Sequence, residues 1–124
     1  MVIVDTDVLI DLLRGRREAA ELLLSLAERS SVCCSVVTVA ELYAGMRQSE
    51  EDATRELVDG MMVLPLTQGI AEKAGWLKRQ ARGYDLELDD CFIAATAMAE
   101  SVPLVTRNRK HYPFADLDVI SPEY

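Results

Sequence analysis

Val2-Ile3-Val4-Asp5-Thr6-Asp7-Val8-Leu9-Ile10 opens the chain, and the fold class follows from reading it. Three β-branched residues in a row suit a strand buried on both faces. Asp5-Thr6-Asp7 then supplies helix-capping oxygens, and Val8, Leu9, Ile10, Leu12 and Leu13 follow at helical density until Gly15. A strand feeding through a carboxylate-bearing turn into an apolar helix is the first half of a βαβ unit.

The same alternation continues outward from that segment. Glu18 to Arg29 reads as a helix with Ala19, Leu22, Leu23 and Leu26 on one face. Ser31 to Val36 reads as a second strand. Thr38-Val39-Ala40-Glu41 has the form of a capping box, which opens a helix running to Arg47. A further helix covers Glu51 to Asp59 and stops at Gly60, and Met61 to Leu64 is a third strand closed by Pro65. Ile70, Ala74 and Leu77 mark a helix over 70–82 that Gly83 ends. Leu88-Asp89-Asp90 caps an apolar helix from Cys91 to Glu100, Pro103 to Thr106 is a fourth strand, and Val119-Ile120 a short fifth. Short apolar strands alternating with helices predict the α/β class: a three-layer α/β/α sandwich with a short central parallel sheet, one domain over residues 1–124.

Composition narrows the function. With 13 Lys+Arg against 21 Asp+Glu the net charge is −8, which argues against coating nucleic acid by bulk electrostatics. It leaves room for an enzyme that meets nucleic acid through a local patch and bound cations. Half the residues are apolar, but no run approaches the ~20 needed to cross a bilayer. The start lacks the basic and apolar segments of a secretory signal, so no membrane role is expected and a cytoplasmic location is. Cys33, Cys34 and Cys91 have neither disulfide nor zinc spacing and read as small buried hydrophobes.

In open α/β sheets the working crevice lies beyond the carboxyl ends of the strands. Asp5 follows the first strand, Thr38 and Glu41 the second, and Thr106, Arg107 and Asn108 the fourth, while Asp89 and Asp90 open a later helix. Each has a plainer reading as a cap or turn former. Taken together they place carboxylates from distant parts of the chain at one edge. Such a cluster repels itself and holds protons unless a cation relieves it. Oxygen ligands select Mg2+ or Mn2+ over zinc, and a cation-bound water can attack a phosphodiester.

These residues resemble the PIN-domain ribonucleases, and within them the VapC toxins of type II toxin–antitoxin systems. Four blocks carry the resemblance: 4–11, Ser35 to Gly45, Asp90 to Ala97, and Leu104 to Asn108. The resemblance implies an Mg2+-dependent endoribonuclease (Mn2+ as the substitute ion), a VapB-like antitoxin partner, an RNA substrate and a homodimer. By position it implies Asp5, Glu41 and Asp90 as the acidic triad. Asp5 and Asp90 would contact the metal, Glu41 would orient the attacking water, and Thr6, Thr106 and Asn108 would support them. Relatives often carry a further acid where Asn108 or His111 stands. Neither is acidic here, which leaves Asp116 as the candidate fourth acid and His111 as a structural residue or a proton donor.

Arg107, Arg109 and Lys110, after the fourth strand, are the expected RNA contacts, with Arg14, Arg16 and Arg17 as a second basic group. Leu23, Leu26, Tyr43 and Met46 are candidates for an antitoxin groove. A phosphoacceptor receiver is excluded, because the third strand runs into Leu64-Pro65-Leu66 with no acceptor Asp. A catalytically silent PIN-like module that binds RNA or a partner is the competing reading.

Overall fold

In the computed structural model, which describes residues 1–124, β1 (Val2–Val4) is the central strand of a five-stranded parallel sheet. The chain runs from β1 through α1 (Thr6–Leu13) and α2 (Arg17–Arg29) to β2 (Val32–Ser35), and through α3 (Val36–Gly45) and α4 (Glu51–Asp59) to β3 (Met62–Leu64). It then returns by α5 (Gln68–Gln80) and α6 (Leu88–Glu100) to β4 (Leu104–Val105), and ends on β5 (Val119–Ile120). The strand order is β3-β2-β1-β4-β5, so the winding reverses between β1 and β4. A crevice opens beyond the carboxyl ends at that reversal.

Alternation along the strands separates the two faces. Ile3 pairs with Cys33 and Leu104, and all three join the core under α5 and α6. Val4 pairs with Val105, and with Val2 and Cys34 it joins the core under α1 and α2. All three cysteines are buried and free, as expected of small hydrophobes. α5 packs closely on α6 through small residues, with Ala74, Ala94 and Ala97 fully buried.

Local chemistry corrects three of the expected boundaries. Ser35, not Thr38, caps α3: its Oγ accepts from the Val37 N–H at 3.1 Å. Val36, read as the end of the strand, therefore begins a helix, and Thr38 and Glu41 sit inside it rather than forming a capping box. At α6 the cap position belongs to Glu87, which puts Asp89 and Asp90 in the first helical turn. Thr67 starts α5 at Gln68 by accepting from Ile70 N–H at 3.1 Å. A side-chain acceptor overrides propensity at the two Ser/Thr starts, because it satisfies donors the helix otherwise leaves orphaned.

The α5–α6 seam predicts the effect of overfilling it. Ala74→Leu should cost about 1–3 kcal/mol, read as a lowered urea midpoint, because Ala74 is fully buried where the two helices pack. An unchanged midpoint would mean the two helices do not close on each other there.

Candidate functional site

Asp5 lies at the carboxyl end of β1 and caps α1, and it is 5% exposed. Its Oδ1 accepts from the Thr6 N–H at 2.8 Å. Its Oδ2 accepts from the Thr106 hydroxyl at 2.7 Å and the Tyr112 hydroxyl at 2.9 Å. The Asn108 N–H donates to Thr106 Oγ1 at 3.0 Å, which commits the Thr106 proton to Asp5. Tyr112 is buried in the α5–α6 core, and its hydroxyl also lies 3.5 Å from Asp90 Oδ1. One phenolic oxygen thus spans the carboxylates of residues 5 and 90.

Glu41 enters from the middle of α3, which touches both α1 and α6. The Thr6 hydroxyl donates to Glu41 Oε1 at 2.7 Å and pairs with the Thr38 hydroxyl at 3.0 Å. Thr6 therefore links Glu41 to Asp5, giving its backbone proton to one and its side-chain proton to the other. The structure brings Asp5, Glu41 and Asp90 together with Thr6, Thr106 and Asn108 beside them.

Asp7 is a fourth carboxylate here, which the sequence pattern presents only as capping chemistry. It accepts from its neighbour Val8 N–H at 2.8 Å and from the Arg107 N–H at 2.9 Å. The signal available was its place two residues after Asp5, in the same first turn.

Electrostatics bind these groups into one unit. Burial raises the pKa of Asp5, against the pull of its three donors. Burial, then the charge on Asp5, pushes Asp7 up to about 6 and also raises Asp90. Glu41 is raised by burial too, then by Asp89, Asp5 and Asp90. No Lys or Arg side chain reaches in to neutralise them. The Arg107 guanidinium pairs with Asp11 Oδ2 at 2.9 Å, and Arg109 donates to the Val119 carbonyl at 2.8 Å. Lys110 is exposed. His111 Nδ1 stands 3.7 Å from Asp90 Oδ2, the only approach of a basic side chain to the triad.

Asp116 does not join the cluster. It lines a cavity of about 580 Å3 with Pro103 and Asp118, which precede β4 and β5 and so mark the opposite edge of the sheet. The winding direction explains this: residues before a strand and residues after it lie at opposite edges.

The donor set is oxygen-only and carries surplus negative charge, which suits a hard divalent ion. It is not a ready-made cage, since no three His, Cys, Asp or Glu side chains are grouped closely enough to hold an ion. Two donors fill Asp5 Oδ2 and one occupies Oδ1, so Oδ1 retains a lone pair for a further partner. Mg2+ needs only one or two direct carboxylates and keeps its waters, so the two observations are compatible.

A raised carboxyl pKa means that the folded chain binds protons more tightly than the unfolded one. Without divalent ions, stability should therefore rise as pH falls from about 7.5 towards about 5, through the Asp7 value near 6. Denaturation with chelator at stepped pH reads this, and Asp7→Asn should flatten the slope. Stability falling with acid across that window would contradict the assignment.

Known proteins resemble this chain over nearly its whole length. The PIN domain family model matches residues 2–119. Ribonuclease VapC10 of Mycobacterium tuberculosis is 39% identical over 115 residues, covering 91% of this chain and 86% of the relative. Ribonuclease VapC19 of the same organism is 36% identical over 121 residues, covering 94% and 97%. A toxin–antitoxin complex from Klebsiella pneumoniae contains a chain superposing with TM-score 0.83 at 31% identity, with 98% of each chain covered. VapBC2 from Rickettsia felis, bound to a promoter DNA fragment, gives 0.85 at 19% identity over 98% of each chain, a likeness of fold alone.

Proposed function

The chain belongs to the PIN-domain family and, within it, to the VapC ribonucleases, and from this we propose a divalent-metal-dependent endoribonuclease that acts as a toxin and is silenced by a VapB-like antitoxin. The observation that carries the reading is the set of carboxylates from β1, α3 and α6, linked through Thr6 and Tyr112 with no Lys or Arg to neutralise them.

Asp5 and Asp90 are the residues proposed to hold Mg2+ or Mn2+. When bound, such an ion lowers the pKa of water and screens phosphate charge. Glu41, its raised pKa making it a ready proton acceptor, orients the attacking water. Thr106 and Thr6 fix the carboxylate rotamers, and the backbone N–H of Asn108 fixes Thr106. Arg109 and Lys110, exposed beside β4, are the proposed phosphate contacts, with Arg107 nearer the crevice.

The antitoxin surface proposed here is a wholly apolar cavity of about 380 Å3 between α1, α2 and α4, lined by Leu12, Leu23, Leu24, Leu57 and Met61 among others. Of the four residues expected to form a groove, only Leu23 lines it; Leu26 is buried, and Tyr43 and Met46 lie elsewhere. The resemblance adds a homodimer. No helix is long and apolar enough to cross a membrane, and the RNA substrate places the proposed activity in the cytoplasm.

The test is cleavage of cellular RNA by the partner-free chain with Mg2+, against a chelator control. Asp90→Asn should abolish cleavage while stability without metal stays level or rises, since one repelling charge is removed. Asp5→Asn should also abolish it, but that variant sets an amide donor against hydroxyl donors, so Asp90→Asn is the cleaner experiment. Cleavage at the parent rate by either variant would sink the assignment. His111→Ala should retain most activity, and a loss as complete as for Asp90→Asn would make His111 part of the machinery. The second reading, a silent binding module, rests on the non-acidic Asn108 and His111, where the resemblance implies a further acid. Such a module would bind RNA with no metal-dependent scission.

A further inference from the structure

After β5 the chain turns back across the carboxyl edge of the sheet. The Ser121 hydroxyl donates to the Thr106 carbonyl at 3.3 Å, at the rim of the carboxylate cluster. Three residues on, the Tyr124 side chain lies against α1, its hydroxyl donating to Asp11 Oδ2 at 3.0 Å. The guanidinium carbons of Arg16 and Arg107 stand 4.5 and 4.8 Å from the centre of its ring. Asp11 also binds Arg107 at 2.9 Å, and the Arg107 N–H is held by Asp7. Thus the cationic side chain nearest the crevice is engaged by an aromatic ring and a carboxylate from its own chain.

An anchor for a passing segment needs only an apolar side chain. This ring instead occupies a set of groups that suits a nucleobase. Guanidinium planes stack on bases in RNA-binding proteins, with little regard to sequence. A carboxylate beside the stack accepts from an exocyclic amine, as Asp and Glu do from cytosine N4. Arg16 and Arg107 supply the stacking surface, and Asp11 the acceptor now filled by the tyrosine hydroxyl. The location also fits, since Arg107 is bonded to Asp7 and Asp7 shares the first turn of α1 with the cap Asp5.

We propose that Arg16, Arg107 and Asp11 form a nucleobase subsite on the RNA path, preferring bases with an amino group, which the Tyr124 ring fills while RNA is absent. This rests on the reading of the chain as an RNA-cleaving enzyme and adds to it a displaceable occupant of the substrate path. The ring leaves the charge of both arginines in place and takes the stacking faces that a base would need.

The test uses the full chain and fluorescein-labelled oligoadenylate in chelator, where binding is read without cleavage. Tyr124→Ala should bind about five- to thirtyfold more tightly than the parent, the range expected for releasing two exposed cation–π contacts. Arg16→Lys in that background, which keeps the charge and loses the plane, should cancel most of the gain. Oligouridylate, lacking the amino group, should gain less, and an abasic oligomer should gain nothing. In the unsubstituted chain the Tyr124 ring resonances should shift when oligoadenylate is added, a readout that does not depend on how a variant folds. Unchanged or weaker binding by Tyr124→Ala, an equal gain with the abasic oligomer, or a ring signal that ignores RNA would each overturn the proposal. Mg2+-dependent scission by the parent is scored separately, so a failed subsite is distinguishable from a failed nuclease.

Discussion

A nearly buried carboxylate with three hydrogen-bond donors and no counter-charge governs this molecule. Asp5 accepts from the start of α1, from the residue after β4 and from Tyr112 far along the chain. An ionised carboxylate in that position is costly, and the donors offset the cost only in part, since its pKa stays raised. The same donors tie three separate segments to one side chain. Stability and chemistry are therefore set against each other, as expected where a fold holds charge ready for a ligand it has yet to receive.

The parallel winding makes the gathering possible. Every strand points the same way, so every residue that follows a strand arrives at the same edge. Reversal between β1 and β4 leaves a gap there, and α3 and α6 send Glu41 and Asp90 into it. Tyr112 and Thr6 then act as the joints: the Tyr112 hydroxyl lies between Asp5 and Asp90, while Thr6 gives its backbone N–H to Asp5 and its hydroxyl to Glu41. Because Tyr112 also fills the α5–α6 core, the spacing of the site is coupled to the packing beneath it.

Charge is distributed just as unevenly outside the crevice. Arg107 and Arg16 hold Tyr124, Arg14 holds Glu50, and Arg109 holds a strand carbonyl. Negative potential at the centre with a rim of engaged arginines suits a divalent ion inside and a phosphate backbone that must compete for its contacts outside.

The order of elements, the parallel sheet and the presence of carboxylates beyond the strand ends were legible from residues alone, while the choice of Asp90 over Asp89 came from the family resemblance. Val2-Ile3-Val4 before Asp5, and the recurring strand–helix alternation, leave few other arrangements of apolar surface. Helix starts were less legible. Ser35 and Thr67 cap by side-chain contacts two and three residues ahead, while Thr38 and Asp90 match cap chemistry and sit within helices. Local patterns of that kind are ambiguous until the backbone picks one acceptor. Tyr112, Asp11 and Tyr124 could be found only in three dimensions, because their partners lie more than a hundred residues away along the chain. Asp116, the candidate fourth acid, precedes its strand and so falls at the wrong edge. Sequence alone determined which carboxylates exist and on which elements they ride. Tertiary structure decided which of them meet, because burial and the choice of hydroxyl between each pair are properties of packed surfaces and not of any segment by itself.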